Sequence, residues 1–118
     1  MTLLTKGAIE ARPWGSFERF TENETTTVKI ISVNPNQRLS LQTHKLRSEF
    51  WKIISGSGVV TISGVEHAAK AGNSFDIPVE VEHRVSAGSE GLVFLEIAFG
   101  AFDENDIVRL EDDFGRST

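Results

Sequence analysis

The chain has 118 residues, a formal net charge of −5, 39% hydrophobic residues, and neither cysteine nor tyrosine. That length holds one domain with a real core. The missing cysteines exclude disulfides, thiolate metal sites and cysteine nucleophiles, and the acidic balance leaves no basic footprint for nucleic acid or an anionic membrane. No apolar run approaches the roughly 20 residues of a membrane helix, and the N-terminus lacks the apolar core of a signal peptide. The expected setting is the cytoplasm and the expected partner a small molecule.

In chain order, residues 1–11 read as an N-terminal arm or edge strand. Pro13 and Gly15 punctuate a loop around Trp14, and residues 15–21 alternate weakly as a strand. Residues 25–33, rich in Thr, Val and Ile, form a strand that Asn34-Pro35-Asn36 ends. Residues 38–43 and 50–54 are two further strands joined by a turn, and Ser55-Gly56-Ser57-Gly58 reads as a glycine turn. Ser63-Gly64 closes a tight hairpin between 59–62 and 65–69. A short apolar strand at 74–77 meets Pro78 and an acidic loop. His83 to Val85 follow, then a loop at 87–91 and the most apolar strand at 92–99. Asp103 is placed to cap a short helical turn before a polar tail to residue 118. Many short strands with turns between them, and no alternating helical pattern, predict an all-β sandwich or barrel in a single domain. The expected sheet core includes Val28, Ile30, Ile53, Val60, Ile62, Phe75, Phe94 and Ile97.

The densest chemistry lies in L-S-L-Q-T-H-K-L-R-S-E-F-W at 39–51. Alternate strand residues share a face, so Ser40, Gln42 and His44 point together. Glu49 lies an odd number of residues beyond His44. It joins them only if 45–48 turn and a second strand starts near Glu49, so that two paired strands bring Gln42, His44 and Glu49 together. Such N and O donors suit a divalent metal. Taken alone, this stretch also fits a surface hairpin whose polar residues meet only solvent.

A second constellation, Gly72, Pro78 and His83, stands in G-x5-P-x4-H order. With Gln42-x-His44-x4-Glu49-x6-Gly56 it resembles the two motifs of the cupin superfamily. The segments R-P-W-G-S-F at 12–17, L-S-L-Q at 39–42, R-S-E at 47–49 and D-I-V-R-L-E-D at 106–112 narrow this. They are similar to the type II mannose-6-phosphate isomerase domain, which is commonly fused to a mannose-1-phosphate guanylyltransferase. The resemblance runs from about Arg12 to Arg116. No nucleotide loop or parallel sheet for the transferase half is visible.

The resemblance implies a cupin jelly-roll barrel whose Gln42, His44, Glu49 and His83 hold one divalent ion. Zn2+ is the first expectation, with Mn2+, Co2+, Ni2+ or Fe2+ as alternatives. It implies interconversion of mannose 6-phosphate and fructose 6-phosphate through an enediolate, with a sugar phosphate as small-molecule partner. A metal stabilises such charge, a base moves the proton, and arginine grips phosphate. Arg47, Lys45 and Glu96 are the candidate catalytic residues; the base remains open among Lys45, Glu96 and metal-bound hydroxide. Trp14, Lys29, Ser40, Arg84 and Arg109 are the substrate-binding candidates. The chain departs from the family at Leu46 and Phe50, where histidines are usual, and neither side chain can move protons. A non-catalytic sugar-binding cupin is the alternative function, and a homodimer built with the N-terminal segment is the expected assembly.

Overall fold

The computed structural model describes residues 8–116, and every regular element among them is a strand. β1 (Ala8–Arg12) and β2 (Gly15–Arg19) form a separate hairpin around Pro13-Trp14. The remaining strands make one antiparallel seven-stranded sheet: β3 (Thr26–Val33), β4 (Leu41–Thr43), β5 (Ser48–Ile62), β6 (Val65–Lys70), β7 (Ser74–Ile77), β8 (His83–Phe99) and β9 (Val108–Glu111). This is the all-β jelly roll that the sequence predicts. The segment expected at residues 1–7 lies outside the described residues.

The frame is the ribbon of β5 and β8. The first half of β5 pairs with the second half of β8, and the second half of β5 with the first half of β8. The glycine turn expected at 55–58 and the loop expected at 87–91 are therefore strand interior. They are bends where the register shifts between Ile53 and Ser55 and again between Gly56 and Gly58, as β-bulges do. Only glycine fits: a Cβ at Gly56 would meet the Gly91 carbonyl oxygen at 2.1 Å, and one at Gly58 would meet that of Ser86 at 2.1 Å. Bending the ribbon lets one continuous strand serve both halves of the roll.

Alternation sorts the two faces of the first half of β5. Glu49, Trp51 and Ile53 point inward opposite Ala98, Glu96 and Phe94, while Phe50 and Lys52 point outward opposite Ile97 and Leu95. Trp51, Ile53, Val60, Val85, Leu92 and Phe94 form the centre of the core, with Ile62 and Phe75 half-buried against it. Side chains of this size contribute roughly 1.5–3 kcal/mol each when fully buried. Phe50 and Ile97 are also buried, but on the outer face, where Phe20 packs on Phe50 with ring centroids 5.6 Å apart.

Two expectations are corrected. Val28 and Ile30 are 56% and 65% exposed, because the register of β3 on β8 turns Lys29 and Ile31 inward instead. Past Asp103 there is no helical turn. The backbone N–H of Asp106 donates to the Asp103 carbonyl at 2.9 Å, making one tight turn, and the apolar residues that follow extend as β9 against β4. Pairing with β4 satisfies the backbone of that segment, which four residues of isolated helix would not.

Candidate metal centre

His44, Glu49 and His83 are each at least 97% buried, and one donor atom from each lies within 4.8 Å of the others. They arrive from three places. His44 directly follows β4, Glu49 opens β5, and His83 opens β8. The expected turn at 45–48 exists, but β4 and β5 do not pair with one another. β4 lies against β8 and β9, while β5 lies against β6, β7 and β8. The three residues meet because both strands border β8.

Both imidazoles are fixed by backbone. His44 Nδ1 donates to the Asp106 carbonyl at 2.6 Å, and His83 Nδ1 donates to that of Val81 at 2.9 Å. A carbonyl only accepts, so Nδ1 carries a proton in both rings and Nε2 is the edge left to face a metal. The Nε2 atoms face Glu49, at 3.4 Å from Oε2 for His44 and 3.9 Å from Oε1 for His83. Metal-ligating histidines usually show this outer anchoring. Two Nε2 edges and a carboxylate form a donor set that fits a divalent first-row metal. Gln42 completes the fourth side, its amide nitrogen 3.5 Å from His83 Nε2 and its oxygen accepting from the Ser40 hydroxyl at 2.8 Å.

Glu49 is surrounded by donors. Arg47 Nε reaches Oε2 at 2.9 Å and Trp51 Nε1 reaches Oε1 at 3.1 Å. Burial pushes the Glu49 carboxyl up, but hydrogen bonds from Glu96 and Arg47 and the two histidines outweigh it and hold it below the usual range. Glu96, on the same inner face, moves the other way: burial first, then the neighbouring Glu49 charge, raise it to about 8. The two carboxyls thus share a hydrogen bond with Glu96 as the protonated partner. Burial also lowers His83, which keeps its Nε2 available. Trp51 lines the site as well as the core, its ring edge-on to His83 at 5.5 Å.

The other predicted residues fall in different surroundings. Arg47 is 8% exposed, donates to the Asp103 carbonyl at 3.2 Å and lies 4.5 Å from the Phe102 ring centroid. Lys29 lies over the same ring at 4.4 Å, with Glu104 at 3.7 Å, and is opposite Glu96 in the β3–β8 register. Arg109, opposite Gln42 on β9, has a buried Nε without a hydrogen-bond partner. Ser40 is buried behind Gln42, and Lys45 is exposed in the turn. Arg84 is spent within the fold, on the Leu39 carbonyl and on Glu111 at 2.9 Å. Trp14 stands 73% exposed at the hairpin tip. Of the two departures from the family, Phe50 faces away from Glu49 into the outer packing, and Leu46 is 61% exposed in the turn.

Sequence reasoning missed Phe102, the Asp106 carbonyl and carboxylate, and the indole N–H of Trp51. Asp106 lay within the D-I-V-R-L-E-D segment, but its partners are some 60 residues away, and no local signal names them.

Residues 5–112 match the family described as "Mannose-6-phosphate isomerase C-terminal". The chain belongs to that family. It is 37% identical over 108 residues to a mannose-1-phosphate guanylyltransferase of Salmonella montevideo, covering 90% of this chain and 23% of that protein. It is 38% identical over 108 residues to the alginate biosynthesis protein AlgA of Pseudomonas aeruginosa, covering 90% of this chain and 22% of that one. The chain thus spans less than a quarter of the length of these relatives. A cupin protein from Bacteroides fragilis superposes with a TM-score of 0.60 at 23% identity, over 86% of this chain and 82% of its own, and shows that the fold is a cupin. No helix among the described residues is long and apolar enough to cross a membrane.

Proposed function

We propose that the chain is a metal-dependent aldose–ketose isomerase that interconverts mannose 6-phosphate and fructose 6-phosphate. The observation that carries this reading is the pair of Nε2 edges turned onto Glu49 beside a buried arginine and the buried Glu96 carboxyl. His44, Glu49 and His83 would hold the metal, with the Gln42 amide oxygen as a fourth ligand once turned from Ser40. Zn2+ suits the two imidazoles best, and Mn2+, Co2+, Ni2+ or Fe2+ fit the same set. Bound there, the ion would polarise the sugar oxygens and ease loss of the carbon-bound proton.

The chain's own residues supply the rest. Moving a proton between C1 and C2 requires a group able both to take and to return it. Glu96 suits this, since a carboxyl raised to about 8 exchanges its proton near neutral pH. Lys45, exposed in the turn next to His44, is the other candidate. Arg47, held over Phe102, faces the negative charge that develops on the enediolate. Arg109 and Lys29 are the cations for phosphate, and the unpartnered Nε of Arg109 favours it. Ser40 orients Gln42, and Trp14 and Arg84 act on substrate only if the hairpin or the Glu111 pair moves. A single cupin domain acting as a homodimer in the cytoplasm is the assembly and setting this reading carries.

The test is a coupled isomerase assay on mannose 6-phosphate with each metal added to chelated protein, alongside solvent-deuterium exchange at C2. Metal-dependent turnover and exchange support the reading. Sugar-phosphate binding without exchange would sink it in favour of a non-catalytic sugar-phosphate-binding cupin, a reading that Leu46, exposed where the family usually has histidine, keeps in view.

A further inference from the structure

We infer that Asp106 is a positioning residue for the metal centre: it fixes the turn between β4 and β5, and through it the tautomer and aim of His44. The inference rests on the metal-binding reading above. Thr43 is opposite Val108 in the β4–β9 ladder, so the same register continued sets Lys45 against Asp106. At that point Asp106 makes three contacts with the turn. Its Oδ1 accepts from the Lys45 backbone N–H at 2.8 Å and its Oδ2 from that of Leu46 at 2.9 Å. Its own carbonyl accepts from His44 Nδ1 at 2.6 Å.

Lys45 and Leu46 are exposed, so water could satisfy their N–H groups and the carboxylate is not needed to avoid a buried unpaired donor. Its effect is geometric. The clamped turn carries His44 at one end and Arg47 at the other, and both point at Glu49. Asp103, at the start of the same loop, holds Arg47 through its carbonyl and Asp106 through the tight turn. One short segment therefore fixes a ligand and the neighbouring cation together. Outer anchors of metal-bound histidines typically contribute 10–100-fold in metal affinity.

The experiment compares wild type, Asp106→Ala, Asp106→Asn and Glu104→Ala. Co2+ affinity is read by its visible absorption, and the His44 tautomer by imidazole 15N shifts without metal. Asp106→Ala keeps the carbonyl that accepts from His44 Nδ1 but releases the turn that seats the ring on it, so it is expected to lose about tenfold in Co2+ affinity, the low end of what outer anchors contribute, and to loosen the fixed Nδ1–H pattern of His44, with its urea midpoint close to wild type. Asp106→Asn, which keeps one acceptor oxygen, should fall between. Glu104→Ala, in the same loop but away from the turn, should bind Co2+ as wild type does. Wild-type affinity and tautomer in Asp106→Ala would overturn the inference, as would failure of both Asp106 variants to fold, which would make the residue part of the fold alone. A wild-type protein that binds no Co2+ would overturn the metal reading instead, and the metal-free 15N comparison would still decide what Asp106 does to His44.

Discussion

The inner face of β5 and β8 has two ends that are equally buried and chemically opposite. At one end Ile53 and Phe94 face each other at 1% and 0% exposure, next to Val60 and Val85. At the other, Glu49 and Glu96 are at 3% and 6%, next to His44 and His83. Trp51 joins them, its ring 4.9 Å from Phe94 and its indole N–H on Glu49. At the apolar end, burial stabilises outright, at about 25 cal/mol per Å2 of area removed from water. At the polar end, burial costs free energy that hydrogen bonds from Arg47, Trp51 and Glu96 only offset. Two neighbouring stretches of the same strands thus hold the fold and hold the chemistry, and different measurements should separate them.

The largest effect is expected at the polar end. His44→Ala and His83→Ala should each take bound divalent metal from near one equivalent to almost none, read by elemental analysis after loading and desalting. Their circular dichroism should remain that of a β protein. Metal content unchanged in both variants would remove this site from consideration.

At the apolar end, Phe94→Ala should cost about 3–5 kcal/mol, because a ring of this size leaves a cavity that the ribbon cannot close. A urea titration reads it, as a lower midpoint at unchanged slope. A loss under about 1 kcal/mol would mean that Phe94 is not in the packed core. Metal stoichiometry in the folded fraction should stay as in wild type, the reverse of the histidine variants.

Arg47→Ala sharpens the contrast within the polar end. The guanidinium lies on Glu49, and in the proposed isomerase it would face the developing charge without being a ligand. Its loss should lower kcat/KM about a hundredfold, roughly 2.7 kcal/mol, with metal content unchanged. Steady-state assays on mannose 6-phosphate check this. Equal losses of metal and of rate would reassign Arg47 to holding Glu49.

These two ends differed in how far the sequence revealed them. The shared face of Ser40, Gln42 and His44, and the need for a turn before Glu49, follow from strand period alone, and the Ser63-Gly64 hairpin from turn chemistry. The continuity of β5 and β8 does not. Gly56 and Gly58 read as a turn locally, whereas what demands glycine is the backbone of Gly91 and of Ser86, some 30 residues on. Val28 and Ile30 read as core because β-branched strand residues usually are, and only the register on β8 turns them out. Phe50 looked like a lost proton carrier until alternation and Phe20 placed it on the far side of the strand. Phe102 and Asp106 act on residues more than 50 positions away, a relation that no local pattern contains.

The smallest effect is expected from an ion pair whose geometry is better than that of the buried one. Arg38 grips Asp113 through both Nε and a terminal nitrogen, at 2.7 and 2.9 Å, with both side chains more than 40% exposed. The hydrogen bond from Arg38 holds the Asp113 carboxyl below its ordinary value, near 3.9 in model peptides. The sign follows: a depressed carboxylate favours the folded state above the unfolded pKa, and that contribution is lost as pH falls through the folded one. Solvent screens a pair so exposed, so Arg38→Ala should leave the urea midpoint at pH 7 where it was. In a carboxyl 13C titration, the Asp113 midpoint should return to the ordinary aspartate range. An Asp113 midpoint that does not move would show that the pair does not persist in solution, whereas a clear loss of stability at pH 7 would show that it supports the fold as the buried residues do.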